Sequence, residues 1–247
     1  MARKLLLHKM SIIKIFYHQY VGEWYDNPNC PFDLDEMCMP PESVISLEKK
    51  SHPEGMIYYD CPAWSHKASR LYNINSPVDI SLEIVDTKIV SKTLPQQMLQ
   101  DYISHNSNVN TIQFNIPRYL FWTNHRNVWI EFRPHPLTSL NNNFISLGGW
   151  WNLSAWSRPA SFAMDVVDKT KPIVIKRGDP LYQICFYTKN LNDRVMFVKK
   201  EPTREMIKQV MKRTSIKNFI RNLSKKHIFK YQEESKCPFA FLYKNHG

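Results

Sequence analysis

"VDISLEIVD" (Val78–Asp86) places Val78, Ile80, Leu82 and Ile84 in alternation with Asp79, Ser81, Glu83 and Val85. Successive side chains of a strand point to opposite faces, so this pattern predicts a strand buried on one side. The same reading extends outward in both directions. "MIYYDCPAW", "TIQFNIP", "RNVWIEFRPHP", "NFISLGGWWNLSAW", "SFAMDVV", "KPIVIK" and "PLYQICFYTK" are short, rich in β-branched and aromatic residues, and separated by Pro, Asn, Asp or Gly. Short strands at that spacing predict an antiparallel all-β core, a sandwich or a barrel, over residues 57–198. Only "LPQQMLQDYISHN" reads as an intervening helix, and Arg177-Gly178-Asp179 reads as a hairpin turn. Before this core, residues 1–56 offer a strand at "SIIKIFYH" (Ser11–His18) and then an irregular, Pro-rich excursion.

Composition narrows the function classes. The chain has 247 residues but only six glycines, which leaves no Gly-rich loop to bring backbone against a phosphate, so nucleotide-binding α/β folds are excluded. No stretch reaches the roughly 18 uncharged apolar residues of a membrane span. His8 and Lys9 interrupt the apolar start and no small-residue cleavage site follows, so the N-terminus reads as mature protein, not secreted. Five scattered cysteines, Cys30, Cys38, Cys61, Cys185 and Cys237, fit a reducing interior better than a disulfide framework.

The net charge of +11 is concentrated. Lys199–Lys230 carries eleven Lys/Arg against Glu201 and Glu205, a local +9, and leaves the remainder nearly neutral. Arg204, Lys208 and Lys212, then Lys217, Arg221 and Lys225, recur every four residues, which aligns each triplet along one helical face. Met206, Ile207, Val210 and Met211, then Ile216, Phe219, Ile220 and Leu223, fill the other faces, and Thr214-Ser215 is placed to end one helix and cap the next. Residues 199–247 therefore read as a basic α-helical C-terminal extension of two short helices. Its stripe suits phosphates of nucleic acid, or an acidic protein surface, or a solvated face on helices packed against the core.

Candidate chemistry is sparse. Cys30 and Cys38 are too far apart in sequence for the tight ligand pair of a structural zinc site, and Cys61 to His66 has no matching second pair, so no metal and no cofactor is expected. No nucleophile elbow is present. Arg133 and His135 alternate on one strand and, with Asp165, form the candidate catalytic set, able to hold an anion or move a proton. "GGWWNLSAWSRPASFAM" (Gly148–Met164) concentrates three of the seven tryptophans, and is either a packed turn between strands or a pocket. The pocket residues would be Trp150, Trp151, Asn152, Trp156, Arg158 and Gln183.

That stretch, together with "IVIKRGDPLYQICFY" (Ile173–Tyr187), resembles the second half of the β-clip proteins of the dUTPase and dCTP deaminase group. Gly149, Trp150, Trp151, Asn152 and Trp156 fall on that group's strand-turn motif, and Arg177, Gly178, Asp179, Leu181 and Gln183 on its basic-Gly-acidic turn and following strand. The chain also resembles a set of phage proteins through "CPAW" (Cys61–Trp64), "SPVDI" (Ser76–Ile80), "GWWNLSAWSRPASFAM" and "KRGDPLYQ", over residues 57–190. The resemblance implies a β-clip core and an ancestral nucleotide pocket at the tryptophans. Asn152 stands where the enzymes carry the Asp that accepts a proton from the attacking water, and an amide cannot do so, which implies lost chemistry. The expectation is a phage-type accessory protein, cytoplasmic in the host cell or virion-associated, that catalyses nothing and binds nucleic acid or an acidic protein surface, with no membrane partner. Self-association into a homo-oligomer stays open. The alternatives are a diverged nucleotide hydrolase or deaminase, and a structural protein of the virion or its assembly.

Overall fold

A computed structural model describes residues 11–21, 33–55, 60–94, 96, 99, 103–114, 118–136, 138–160, 162–190 and 192–219, with side chains in the last helix up to 211. Sixteen strands occur among them. In chain order they are β1 (Ile12–Tyr20), β2 (Glu42–Ser43), β3 (Leu71–Asn75), β4 (Ile80–Val85), β5 (Lys88–Ser91), β6 (Ile103–His105), β7 (Thr111–Phe114) and β8 (Arg118–Trp122). There follow β9 (Trp129–Pro134), β10 (Phe144–Ser146), β11 (Gly149–Asn152), β12 (Arg158–Pro159), β13 (Phe162–Val166), β14 (Ile173–Ile175), β15 (Pro180–Tyr187) and β16 (Arg194–Lys199).

They form four sheets, in the orders β12-β8-β1-β16, β10-β13-β7-β6, β11-β9-β15-β3-β2 and β14-β4-β5. The fold is mainly β and sandwich-like; each described sheet is open at both ends, so the barrel alternative gives way to packed open sheets. The ladders are antiparallel with one exception: β1 runs parallel to β16, Ile12 opposite Arg194 through Tyr17 opposite Lys199. The expectation of a purely antiparallel core is corrected there. β1 also pairs with β8, so a strand from residues 1–56 lies inside the first sheet.

The deciding stretch folds as its alternation requires. Ile80 and Leu82 of β4 are buried and Ser81 and Glu83 are partly exposed. Asp86 and Thr87, both at positive φ (46° and 64°), make the two-residue turn into β5, a left-handed pair whose twist matches that of a hairpin. β3 pairs with β15 while β4 pairs with β14, so a two-stranded ribbon passes from one sheet into another. Its joint is fixed by Ser76 N–H donating to the Asp179 carbonyl (2.8 Å), Gly178 N–H to the Ser76 carbonyl (2.8 Å) and Arg177 N–H to Asp79 Oδ1 (2.8 Å). Gly178 has φ +92°, which a side chain would strain. Arg177-Gly178-Asp179 is thus a corner between sheets, correcting the hairpin reading.

All four sheets feed one core, through fully buried residues such as Ile15, Phe121, Ile112, Phe144, Ile130, Ile184 and Leu82. β8 is buried on both faces: Tyr119 and Phe121 face this core, and Leu120 and Trp122 join Tyr20 in a second cluster under Ile207 and Val210 of the C-terminal helix. Three sequence readings change here. "CPAW" opens a helix, Pro62–Ala68, because Pro62 at its first turn needs no N–H partner and Cys61 enters extended. "LPQQMLQDYISHN" is helical at its described residues Gln96 and Leu99, but its end is the strand β6, which pairs with β7. The helix Arg204–Phe219 runs through Thr214 and Ser215 without a break, so neither residue ends it.

Candidate functional site

The tryptophan corner is built by the pairing of β11 with β9, Trp151 opposite Ile130 and Asn152 opposite Trp129. Strand alternation then sends Trp151 inward and Trp150 outward; Trp151 is 6% exposed and Trp150 54%. Trp151 stacks on Phe132 with ring centroids 4.8 Å apart, and its Nε1–H donates to the Trp156 carbonyl at 3.1 Å. The Arg158 guanidinium lies over both indoles, 4.9 Å from the Trp151 ring and 4.8 Å from Trp156. Burial pushes Arg158 down to about 10, and repulsion from Arg118 adds to the effect.

Asn152 is buried, and its Oδ1 accepts from Ser154 N–H (3.0 Å) and Ala155 N–H (3.2 Å), while Ser154 Oγ accepts from Val128 N–H (2.9 Å). The corner is therefore packed with Arg158 and closed by a turn that Asn152 caps. Of the six pocket candidates, Trp151, Asn152, Trp156 and Arg158 form this packed corner. Trp150 and Gln183 lie elsewhere, along an open groove with Lys67 and Arg133. Trp150 tilts against Trp129 at 5.1 Å, and Gln183 Nε2 donates to Asn73 Oδ1 at 3.1 Å.

The catalytic candidates stand in separate surroundings. Arg133 on β9 pairs with Glu131 at 3.3 Å. His135, just past that strand, is buried; its carbonyl accepts from the Thr138 hydroxyl at 3.0 Å, and burial pulls its ring pKa down. Asp165 is exposed on β13, in a different sheet, and accepts from the Thr111 hydroxyl at 2.8 Å. Each group thus has its own structural setting. Burial also raises the thiols of Cys38 and Cys185, keeping both protonated and inert. Among the described residues, no group of three or more His, Cys, Asp or Glu could hold a metal ion.

The C-terminal helix is held on its apolar face. Thr203 Oγ1 accepts from Met206 N–H at 3.2 Å at its start, and Ile207 and Val210 bury against Tyr20, Leu120 and Trp122. Arg204 and Lys208 are exposed, beside that face. Lys212 and Lys217 belong to the helix, but their side chains, like the whole of Arg221 and Lys225, lie outside the described residues. No described helix is long and apolar enough to cross a membrane.

Sequence reading passed over a further feature. Gln19, Arg118 and several apolar residues line a cavity of about 70 Å³. Gln19 is 1% exposed; its Nε2–H donates to the Met37 carbonyl at 2.9 Å, and Tyr119, its cross-strand partner, donates to the Met39 carbonyl at 2.8 Å. Gln19 Oε1 and Arg118 Nε are buried without a hydrogen-bond partner. A signal was available: Ile13, Ile15 and Tyr17 share a face, and period two continues it onto Gln19, a polar residue in a core register.

The chain matches no protein-family model, and no curated protein matches it significantly.

Proposed function

We propose that the protein binds nucleic acid along the solvent face of the helix Arg204–Phe219, as a non-catalytic accessory protein. The observation that carries this reading is the docking of that helix by Ile207 and Val210, with Arg204 and Lys208 exposed to solvent along the edge of the docked face. A cationic stripe on a helix that is already held in place loses little entropy when phosphates bind, and gains from counterion release. The sequence continues the stripe at Lys212. The resemblance to phage proteins suggests the context, an infected cell or a virion.

Fluorescence anisotropy across a salt series tests the proposal, with wild type beside the triple reversal Arg204→Glu, Lys208→Glu, Lys212→Glu. Wild-type affinity should fall with salt at a log–log slope of about 0.7 to 0.9 per phosphate contact, on many sequences alike. The triple variant should bind more weakly and with a flatter slope. Equal, salt-insensitive curves would reject nucleic acid and favour an acidic protein partner.

A further inference from the structure

At its β11 end, the outer face of the sheet β11-β9-β15-β3-β2 gathers aromatic and charged side chains into one surface. Alternation on β9 turns Ile130 and Phe132 into the core and leaves Trp129, Glu131 and Arg133 outside. Register then sets Trp150 of β11 opposite Glu131, and Tyr187 of β15 opposite Trp129. Trp150 is 54% exposed and Tyr187 47%. Large rings clustered in water on a protein surface mark a site of interaction. Lys67, exposed in the helix Pro62–Ala68, lines the same open groove as Arg133 and Trp150.

The rings are held in place. Trp150 tilts against Trp129 with centroids 5.1 Å apart, and the Tyr187 hydroxyl donates to Glu131 Oε2 at 2.5 Å. The other Glu131 oxygen accepts from Arg133 Nη2 at 3.3 Å. The carboxylate on this surface is thus engaged, while Arg133 keeps further N–H groups and Lys67 makes no ion pair among the described residues. Two aromatic faces and two cations are left to meet a ligand. Arg133 stands two residues along β9 from the position opposite Trp150, about 7 Å at the rise of a strand. That span suits the reach of one nucleotide from its base, across the sugar, to its phosphate.

Other occupants of an aromatic groove fit less well. A sugar is read through hydroxyls that need free acceptors as well as donors, and Glu131 is already engaged. A proline-rich peptide docks on aromatic rings but gives Lys67 and Arg133 nothing to bind. A duplex keeps the faces of its bases stacked inside. A single strand offers π-faces to the rings and phosphates to the cations. We propose that single-stranded nucleic acid crosses this sheet face, stacking bases on Trp150 and Tyr187 and setting phosphates against Arg133 and Lys67. The face belongs to a different sheet from the one beneath the basic helix, so the site stands whether or not the helix binds phosphates.

An oligothymidylate and an abasic strand of the same length carry the same charge and differ only in their bases, so the pair separates stacking from electrostatics. Both are titrated by fluorescence anisotropy into the full chain, as wild type and as the variant Arg204→Glu, Lys208→Glu, Lys212→Glu. In both proteins the thymidylate should bind about tenfold tighter than the abasic strand, the share of one stacked base, and should shift the indole N–H signal of Trp150. Trp150→Ala should remove that preference, and unmoved indole signals of Trp151 and Trp156 would show that the neighbouring corner is still folded. Lys67→Glu should weaken both strands and keep their ratio. Equal affinity for the two strands in wild type, or a preference that survives Trp150→Ala, would overturn the proposal. A preference present in wild type and lost in the helix variant would place the base contacts on the helix and overturn it as well. So would decaproline or maltohexaose moving the Trp150 signal where the thymidylate does not.

Discussion

The Arg158 guanidinium lies 4.9 Å from the ring centroid of Trp151, in a corner where the described residues give it no carboxylate partner. Two opposing effects meet there. Desolvation of the charge costs several kcal/mol, and cation–π contacts with two indoles return about 2 kcal/mol each when water is excluded. The near balance yields a specific expectation. Arg158→Met, which keeps the side-chain bulk between the rings and drops the charge, should change unfolding free energy by no more than about 1 kcal/mol, whereas Arg158→Ala should cost about 2–4 kcal/mol through the hole it leaves. Urea unfolding of the two variants measures this; Met as damaging as Ala would mean that the charge holds the corner.

Asn152 tests the same corner from its other side. Its Oδ1 accepts two backbone N–H groups of the following turn, at 3.0 and 3.2 Å, so Asn152→Ala leaves Ser154 N–H and Ala155 N–H with their longer bonds to the Val128 and Asn152 carbonyls (3.3 Å each) and should destabilise by about 1 kcal/mol. Asn152→Asp introduces a carboxylate, but inside a packed turn. Neither wild type nor Asn152→Asp should hydrolyse dUTP or deaminate dCTP at enzymatic rates. Product from Asn152→Asp in a nucleotide panel would show that the corner still opens to substrate.

These residues show what the sequence carried and what it did not. Period two in Val78–Asp86 was legible because one face of β4 is buried and the other is partly exposed, so each residue type reports its side. Trp151 and Trp150 obey the same rule, yet identical residues at adjacent positions hide which of them is inside. The helix at Pro62–Ala68 was not legible, since "CPAW" contains no period long enough to separate strand from helix. The apolar face of the basic helix was visible in Ile207 and Val210, but not its partners, because Tyr20, Leu120 and Trp122 come from strands distant in sequence. Gln19 was overlooked because a single polar residue in a strand looks like a surface position until its register is counted.

Docking of the basic helix separates charge from packing. Ile207→Asp places a carboxylate in the cluster formed with Tyr20, Leu120 and Trp122, and should cost about 2–4 kcal/mol or release the helix. Lys208→Glu, on the exposed face, should stay within about 0.5 kcal/mol of wild type. Tryptophan fluorescence during urea unfolding reads both, since Trp122 lies under the helix. Equal effects would mean that the helix does not rest on the sheet.

His135 gives stability a dependence on acid. Burial lowers its folded-state pKa below the ordinary 6.5, so the folded form favours neutral imidazole. The unfolded chain then takes up a proton first as pH falls. The contribution of His135 is complete above about 6.5 and is lost progressively as pH drops from there through the lower folded value. Unfolding midpoints at pH 7.5 and 5.5 should therefore fall further in wild type than in His135→Gln. Parallel losses in both would place the acid sensitivity on other groups.

The paired glycines before the tryptophans make opposite demands. A Cβ on Gly148 would meet the Phe132 carbonyl oxygen at 2.7 Å, a backbone atom of β9, which is paired with β11 on one side and β15 on the other, so neither side can yield cheaply. A Cβ on Gly149 would meet nothing within 4 Å, since that position faces the open groove beside Trp150 and Arg133. Gly148→Ala should thus force β11 away from β9 and cost about 1–3 kcal/mol, the usual range for overpacking. Gly149→Ala should be neutral or slightly stabilising, because it removes backbone freedom from the unfolded chain without a clash in the folded one. Thermal unfolding of the two single variants decides between this account and one in which both glycines serve the turn alike. In the second case both alanines would destabilise by similar amounts, and the close approach of Gly148 to Phe132 would carry no energetic weight.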